Sequence, residues 1–472
     1  MDTYRYLFPY EKIPPHSRIL IYGAGILGQE YLKQIRITNY CKVVGFVDKN
    51  FADYPQKDIP VYAPDKVKEL DFDFAVIALR GSFALPAIKK VLFEQGVDEN
   101  KMVCVLERNI STHDHVNDVA KEENVLSGLA PETNDFSFVV FMSGGIGDMV
   151  TYKRLIEELH RLASNAAIDI FTVRGLDLLR WLYCEESYVK NILPDLGVRY
   201  NNNKCRYSFA LSFMGAGLLN VDFLHEDAFA ENRNLLSKIK SLDERCRFES
   251  LNFSQPGAVM FYRRIFNGEN CYTGFNYGDV FSITDKHVQI PQPQEFVDAF
   301  ASLGLDDYIT VNTGNGTETN DVAISKLWPW ERFQATVDMF RQSYPYVKVA
   351  HIGMPGEPLI DGADKYFMGE PFGLVAEILR HALFHLDIEG GLVHLASQLG
   401  TKCVVLFGPT QYEYFGYTEN INIRVGNCHG CCGLYLDTYY CARHMKEPEC
   451  MYGITPEIVM NHIDEYMKVR EK

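Results

Sequence analysis

A Gly-rich turn near the end of the chain has residues that suit a diphosphate. Glu389-Gly390-Gly391-Leu392 precedes a short helix predicted over 392–399, and the free backbone N–H groups at such a helix start attract anionic oxygens. The apolar run 404–407 then predicts a buried parallel strand. Because ligands of open α/β sheets bind beyond the carboxyl ends of their strands, we expect Gly408-Pro409-Thr410 to line a site.

Two further turns place a charged side chain beside a predicted helix. In Gly144-Gly145-Ile146-Gly147-Asp148 a strand gives way to a helix, so the Asp148 carboxylate either faces a crevice as a reactive group or caps that helix. Lys326 follows the polar loop 312–320 and precedes another helix. Its ammonium is either a mobile cation for a phosphate oxygen or, as for most lysines, a solvated charge.

Five of the 12 cysteines fall between Cys428 and Cys450. Their Cys-x-x-Cys spacing predicts a closed tetrahedral sulfur site for iron or zinc rather than disulfides. The predicted ligands are Cys428, Cys431, Cys441 and Cys450. Alternative ligands are Cys432, His429 and His444. Four thiolates leave no open coordination position, so this metal is expected to be structural and no catalytic metal is expected. Packed, reduced thiols are the competing interpretation.

Near the N-terminus, Gly23-x-Gly25-x-x-Gly28 lies between a predicted strand and a predicted helix. Asp48 stands at the end of the next strand, where a dinucleotide fingerprint has an acidic residue. A Rossmann-like domain needs such a tight turn whether or not it binds a ligand. NAD, a nucleotide-sugar and no ligand therefore all remain open for this domain.

The elements that position these residues alternate strand and helix, which predicts an α/β protein. We expect a Rossmann-like domain over 1–110, a polar linker over 111–135, and two further α/β domains over 136–300 and 301–472. Few elements can be predicted between residues 200 and 295, which are rich in Asn, Phe and Tyr.

The bulk properties exclude several classes of partner. The net charge is −16, with 46 basic and 62 acidic residues, which argues against broad binding to nucleic acids or anionic membranes. No apolar run approaches the roughly 18 residues of a membrane span, and the N-terminus lacks the pattern of a signal peptide. We therefore expect a cytoplasmic protein. The sequence does not determine whether it forms a homo-oligomer.

Together, the motifs from about residue 136 onward resemble the heptosyltransferase-like family of glycosyltransferases, the ADP-heptose type with the two-domain B fold. The order and spacing of five short motifs carry this resemblance. The motifs are Gly147-Asp148 after the first strand, Lys326-x-Trp328-Pro329-x-x-x-Phe333, Gly353-Met354-Pro355-Gly356-Glu357, Gly390-Gly391-Leu392-Val393-His394-Leu395-Ala396 and Phe407-Gly408-Pro409-Thr410. The cysteine cluster is similar to the iron-holding cysteine finger of autotransporter heptosyltransferases.

The resemblance implies a role for each residue. Asp148 would be the general base, Lys326 and Thr313 would hold the donor diphosphate, and Glu357 would face its nucleoside or sugar. The backbone of Gly390, Gly391 and Leu392 would bind phosphate. Glu389 stands where the family usually has Asp, and Gly390 where it has Ser or Thr, so the identity of the donor sugar is open.

We therefore expect an inverting glycosyltransferase that moves a sugar, with heptose as one candidate, from a nucleotide-diphosphate donor to a hydroxyl. The acceptor would be a surface glycan, a lipid-linked sugar or a protein. The resemblance leaves two other hypotheses open. One is an NAD-dependent sugar-modifying oxidoreductase that uses the N-terminal domain, and the other is a sugar-binding scaffold without activity.

Overall fold

The computed structural model divides into two compact units, Met1–Thr112 and His113–Lys472. It describes residues 8–9, 12–54, 59–79, 84–104, 136–195, 198–214, 219–251, 256–284, 287–314, 324–428, 430–432, 441, 443 and 445–470. The predicted linker 111–135 lies outside these residues. Each unit contains buried apolar clusters of its own.

The first unit is a small parallel α/β domain. Its elements are β1 Arg18–Tyr22, α1 Ile26–Thr38, β2 Lys42–Val47, β3 Val61–Tyr62, β4 Phe74–Ile77, α2 Leu85–Glu94 and β5 Met102–Cys104. The strand order is β3-β2-β1-β4-β5, and every pair is parallel. The central strand β1 is apolar on both faces, as a strand covered by helices on both sides must be. This confirms the predicted Rossmann-like domain.

The second unit begins with a lobe over residues 136–284. Its strands are β6 Ser137–Ser143, β7 Ala167–Thr172, β8 Val189–Pro194, β9 Phe209–Met214 and β10 Leu219–Leu224. Its helices are α3 Ile146–Leu162, α4 Leu176–Leu182, α5 Val198–Asn203, α6 Arg233–Leu251 and α7 Pro256–Phe266. The order is β10-β9-β6-β7-β8, in which only β10 is antiparallel to its neighbour. The nearly continuous burial of β6 puts this strand at the centre of the lobe.

The second lobe covers residues 294–470. Its strands are β11 Tyr308–Val311, β12 Lys348–Gly353, β13 Lys365–Met368, β14 His385–Ile388, β15 Cys403–Leu406 and β16 Ile421–Ile423. Its helices are α8 Gln294–Ser302, α9 Trp330–Ser343, α10 Phe372–His381, α11 Gly391–Gln398, α12 Tyr412–Phe415, α13 Glu449–Tyr452 and α14 Pro456–Arg470. The order β13-β12-β11-β14-β15-β16 is parallel throughout. The predicted α/β fold class is confirmed.

The segment that joins the two lobes is held by side chains of both. The Gln289 N–H donates to Oε1 of Glu157 in the first lobe at 3.1 Å, and the Val288 N–H donates to Oε1 of Gln398 in the second at 2.8 Å. Burial raises the pKa of Glu157 to about 7, although Lys153, 3.8 Å away, opposes this effect. The connection between the lobes therefore depends on a carboxyl group that titrates near neutrality.

Glu157→Gln is expected to stabilise the protein by about 1 kcal/mol above pH 7 and to have little effect near pH 5. A raised pKa means that the folded state binds the proton more tightly than the unfolded chain, so wild-type stability falls as pH rises from about 5 through 7. Melting temperatures of both proteins at pH 5, 7 and 8.5 measure this. Glu185→Gln is the matched control, since the exposed Glu185 bonds the same segment at Gln292. A Glu157→Gln effect that does not vary with pH would contradict the prediction.

Candidate active site

The carboxyl ends of the second-lobe strands bring several predicted residues to one edge of the sheet. Thr313 follows β11, Glu357 follows β12, Glu389 follows β14 and Thr410 follows β15. Because these strands are parallel, their carboxyl ends share one edge. Residues far apart in the sequence thus line a common surface.

Three polar atoms at this edge are buried without a hydrogen-bond partner among the described residues. They are Oγ1 of Thr313, Oγ1 of Thr410 and Oε2 of Glu357. Burial also raises the pKa of Glu357. Since buried polar groups in folded proteins almost always have partners, these atoms are suited to the hydroxyl and phosphate groups of a ligand.

Helix α11 begins at this edge, with Gly390 at its N-cap. A side chain at Gly391 would place its Cβ 2.7 Å from Cβ of Ile146 and 3.2 Å from the backbone nitrogen of Gly147, both at the start of α3 in the first lobe. The two helix N-termini therefore meet in the interlobe space. Backbone N–H groups of both helix starts are directed towards this region.

Lys326 lies at the same edge, where its Nζ donates to Oε2 of Glu389 at 2.6 Å. Burial acts to raise the pKa of Glu389, but Lys326 and a hydrogen bond with His394 overcome it, so the carboxyl pKa lies well below its ordinary value. For Lys326, burial acts to lower the pKa, but Glu389 and, to a smaller extent, Cys432 and Asp148 raise it. The predicted cation is therefore ion-paired with Glu389.

Asp148 is the third residue of α3, which begins at Ile146. Its Oδ2 accepts the Gly145 N–H at 2.8 Å, so the carboxylate does cap the helix. It also lines an interlobe cavity of about 30 Å³. The cavity is lined by Gly147, Asp148, Thr151, Cys271, Phe275, His394, Tyr414 and Phe415. The Asp148 carboxylate therefore both caps α3 and faces the interlobe space.

The cavity is much smaller than the roughly 300 Å³ or more of an ordinary ligand pocket, so little free space remains beside Asp148. Sequence reasoning missed Cys271 and Phe275, which come from a region where few elements could be predicted. The Cys271 N–H donates to the Tyr414 carbonyl oxygen at 2.8 Å, which joins the lobes beside the cavity. A local signal for an aromatic lining was present in the tyrosines that follow the Gly-Pro-Thr loop, Tyr412, Tyr414 and Tyr417.

The cysteine cluster is partly described. Burial, followed by the proximity of Cys428, Cys431 and Cys441, raises the pKa of Cys450 to about 12. The other three predicted ligands are therefore close enough to Cys450 to act on its charge. Within the described residues, however, no three His, Cys, Asp or Glu side chains are arranged so that they could hold a metal ion. His429 and His444 lie outside those residues, and the metal stays a prediction.

This cluster contacts the loop after β15. The Cys432 N–H donates to the Pro409 carbonyl oxygen at 2.6 Å, and the Gly430 N–H donates to the Gly408 carbonyl oxygen at 3.3 Å. A Cβ at Gly408 would lie 3.4 Å from Sγ of Cys450. The cysteine cluster thus supports the loop that carries Thr410.

In the N-terminal domain, the turn itself explains two of the three glycines. Gly23 has a φ of +106°, and a Cβ at Gly28 would lie 2.0 Å from the Gly23 carbonyl oxygen. Among the described residues, no atom lies within 4 Å of the Cβ position of Gly25. Asp48, the acidic residue of the predicted fingerprint, accepts the Ala24 N–H through Oδ2 at 2.9 Å. Asp48 therefore fixes the turn, and nucleotide binding here stays a prediction.

Comparison with known proteins finds a family match in the N-terminal domain. Residues 15–103 match the family described as C2185-like, N-terminal. Comparison with curated proteins gives no match. The described residues contain no helix long and apolar enough to cross a membrane.

Among solved structures, the chain is similar to three glycosyltransferases. A family 9 glycosyl transferase of Veillonella parvula is 14% identical over 72% of this chain and 99% of its own, with a TM-score of 0.45. The iron-containing dodecameric glycosyltransferase TibC of enterotoxigenic E. coli is 16% identical over 72% and 80%, with a TM-score of 0.47. ADP-heptose LPS heptosyltransferase II of E. coli is 14% identical over 71% and 100%, with a TM-score of 0.44.

Proposed function

We propose that this protein is an inverting glycosyltransferase that moves a sugar from a nucleotide-diphosphate donor to an acceptor hydroxyl. One observation carries this proposal. Lys326, a cation for phosphate in the second lobe, pairs with Glu389, and the helix start that follows Glu389 contacts the start of the helix that carries the Asp148 carboxylate of the first lobe. This is the arrangement that a single displacement at an anomeric carbon needs.

Each group has a distinct chemical task. The Asp148 carboxylate takes the proton of the attacking hydroxyl as the new glycosidic bond forms. The Lys326 ammonium and the N–H groups at the start of α11 stabilise the negative charge that develops on the departing diphosphate. A single carboxylate on the side opposite the leaving group gives inversion, whereas a glycosidase needs two carboxyl groups flanking the bond.

The buried polar atoms at the sheet edge would bind the rest of the donor. The hydroxyls of Thr313 and Thr410 suit phosphate or sugar oxygens, and the Glu357 carboxyl suits hydroxyls of the nucleoside or sugar. Closure of the lobes around the donor would exclude water and so limit its hydrolysis. The acceptor would be a surface glycan, a lipid-linked sugar or a protein hydroxyl, in a cytoplasmic setting.

A thermal-shift screen of nucleotide-sugars tests the proposal. A donor that binds only the folded protein should raise the melting temperature by a few degrees at saturating concentration. Lys326→Met should reduce this shift, because it removes the phosphate cation. Failure of every nucleotide-sugar and nucleoside diphosphate to shift the wild-type protein would contradict the proposed function.

One observation favours a second candidate function, an NAD-dependent sugar-modifying oxidoreductase. The described residues leave space beside Gly25, which would let a ligand approach the turn closely. NAD(H) binding that is lost in Gly25→Val would support this function. Donor binding without turnover on any acceptor would instead support a sugar-binding scaffold.

We also propose that Cys428, Cys431, Cys441 and Cys450 hold one structural iron or zinc. The proximity of the other three thiols to Cys450 supports this assignment. Elemental analysis of purified protein should give about one metal per chain, and Cys450→Ser should lose the metal and lower the melting temperature. Exposed Cys184→Ser is the matched control. Metal-free wild-type protein of normal stability would contradict the proposal.

A further inference from the structure

Four side chains form a hydrogen-bonded chain that leads from the phosphate cation to the first lobe. Lys326 Nζ lies 2.6 Å from Glu389 Oε2, and Glu389 Oε1 lies 3.4 Å from His394 Nε2. His394 Nδ1 lies 2.6 Å from the Tyr417 hydroxyl. Both oxygens of Glu389 therefore already have a partner within the protein.

The surroundings of Glu389 leave little room for another partner. Only 6% of the residue is exposed. By contrast, 24% of the Lys326 side chain is exposed. An ammonium has three N–H donors, so Lys326 can bond Glu389 and still offer two donors to a phosphate. The accessible group of this pair is therefore the lysine.

The His394 ring has a partner at each of its nitrogens. Its Nδ1 lies 2.6 Å from the Tyr417 hydroxyl, and its Nε2 lies 3.4 Å from Glu389 Oε1. The ring is therefore held between Tyr417 and Glu389.

His394 also reaches the helix that carries Asp148. A Cβ at Gly147 would lie 2.4 Å from Cδ2 of the His394 ring, so the ring rests directly on the residue before Asp148. Glu389 therefore contacts the phosphate cation on one side. On the other it orients the ring that packs beneath the proposed general base.

We propose that Glu389 is a positioning residue, which aligns Lys326 for the donor phosphate and His394 for the helix of Asp148, and that it does not bind the donor's sugar. This inference rests on the proposed function. The family resemblance implies that this position contacts the donor's sugar, and the inference replaces that role with positioning. An Asp here would be one carbon, about 1.5 Å, shorter, so it would reach one of the two partners and lose the other.

Isothermal titration with a nucleoside diphosphate and with its nucleotide-sugar separates the two roles. If Glu389 positions Lys326, Glu389→Gln should weaken the binding of both ligands by the same factor, about tenfold. In a Lys326→Met background, Glu389→Gln should not weaken the binding of either ligand further. Glu389→Asp should fall between wild type and Glu389→Gln. A loss confined to the nucleotide-sugar would show a sugar contact and overturn the inference.

A thermal double-mutant cycle tests the same pair without any ligand. Lys326→Met should lower the melting temperature, since it leaves a buried carboxylate with one partner fewer. Adding Glu389→Gln should then recover part of this loss. The exposed pair Lys89 and Glu99, 2.9 Å apart, is the control and should show almost no coupling.

The outcomes of this cycle are independent of the proposed function. Additive effects of Lys326→Met and Glu389→Gln on stability would overturn the positioning role. If the wild-type protein binds neither nucleoside diphosphates nor nucleotide-sugars, the proposed function is wrong. The cycle still decides whether Glu389 holds Lys326.

Discussion

Asp148→Asn is expected to lower the transfer rate by about a thousandfold while leaving the fold and the donor affinity intact. The amide oxygen of Asn has nearly the position of Asp148 Oδ2 and can still accept the Gly145 N–H. The cap of α3 is therefore preserved. An amide cannot take the proton of the attacking hydroxyl, so only the chemical step is affected.

The measurement is steady-state transfer with the donor found by thermal shift, together with the donor Kd of both proteins. Asp177→Asn is the matched control, because Asp177 occupies the first turn of the neighbouring helix α4 and lies outside the proposed site. It should retain wild-type turnover. Near-wild-type turnover in Asp148→Asn would show that this carboxylate is only a cap.

Gly391→Val is expected to reduce transfer by about a hundredfold, because it forces the starts of α11 and α3 apart. The new Cβ would lie 2.7 Å from Cβ of Ile146, which neither backbone can absorb without moving. A displacement of roughly 1 Å between reacting groups can cost a factor of this size. Overpacking at this contact should also lower stability by about 1–3 kcal/mol.

Transfer rate and melting temperature measure the two effects separately. Gly390→Ala is the steric control for stability. Gly390 has an extended backbone, and a Cβ there would meet only the Ile388 carbonyl oxygen, at 3.7 Å. Its melting temperature should stay close to that of the wild type. Wild-type turnover in Gly391→Val would mean that contact between the two helix starts is not needed for the reaction.

Local patterns were sufficient to predict most of the architecture. The apolar runs of β1, β6 and β15 and the Gly-rich turns after them are signals carried by consecutive residues. Strands β13 and β14 were missed, since each has four residues and β14 combines His385 and Asp387 with two apolar residues. Those polar groups are buried because the sheet surrounds them, and Asp387 lies 3.3 Å from the His385 ring. No local pattern could indicate this.

The start of α3 shows a similar limit. The glycines at 144, 145 and 147 suggested a turn up to Asp148, whereas the helix begins at Ile146. Gly147 lies inside the helix, and the His394 ring of the other lobe occupies the space where a side chain at this position would stand. A contact between lobes, rather than local helix propensity, therefore accounts for this glycine.

The sequence by itself determined the fold class, the strand-turn-helix units and the residue types at each strand end, because these depend on neighbouring residues. Only the tertiary structure decided what each group touches. Lys326 pairs with Glu389, which lies 63 residues away in the sequence, and Asp148 both caps its helix and faces the other lobe. Partners of this kind are set by how distant segments pack, and the order of residues along the chain does not specify them.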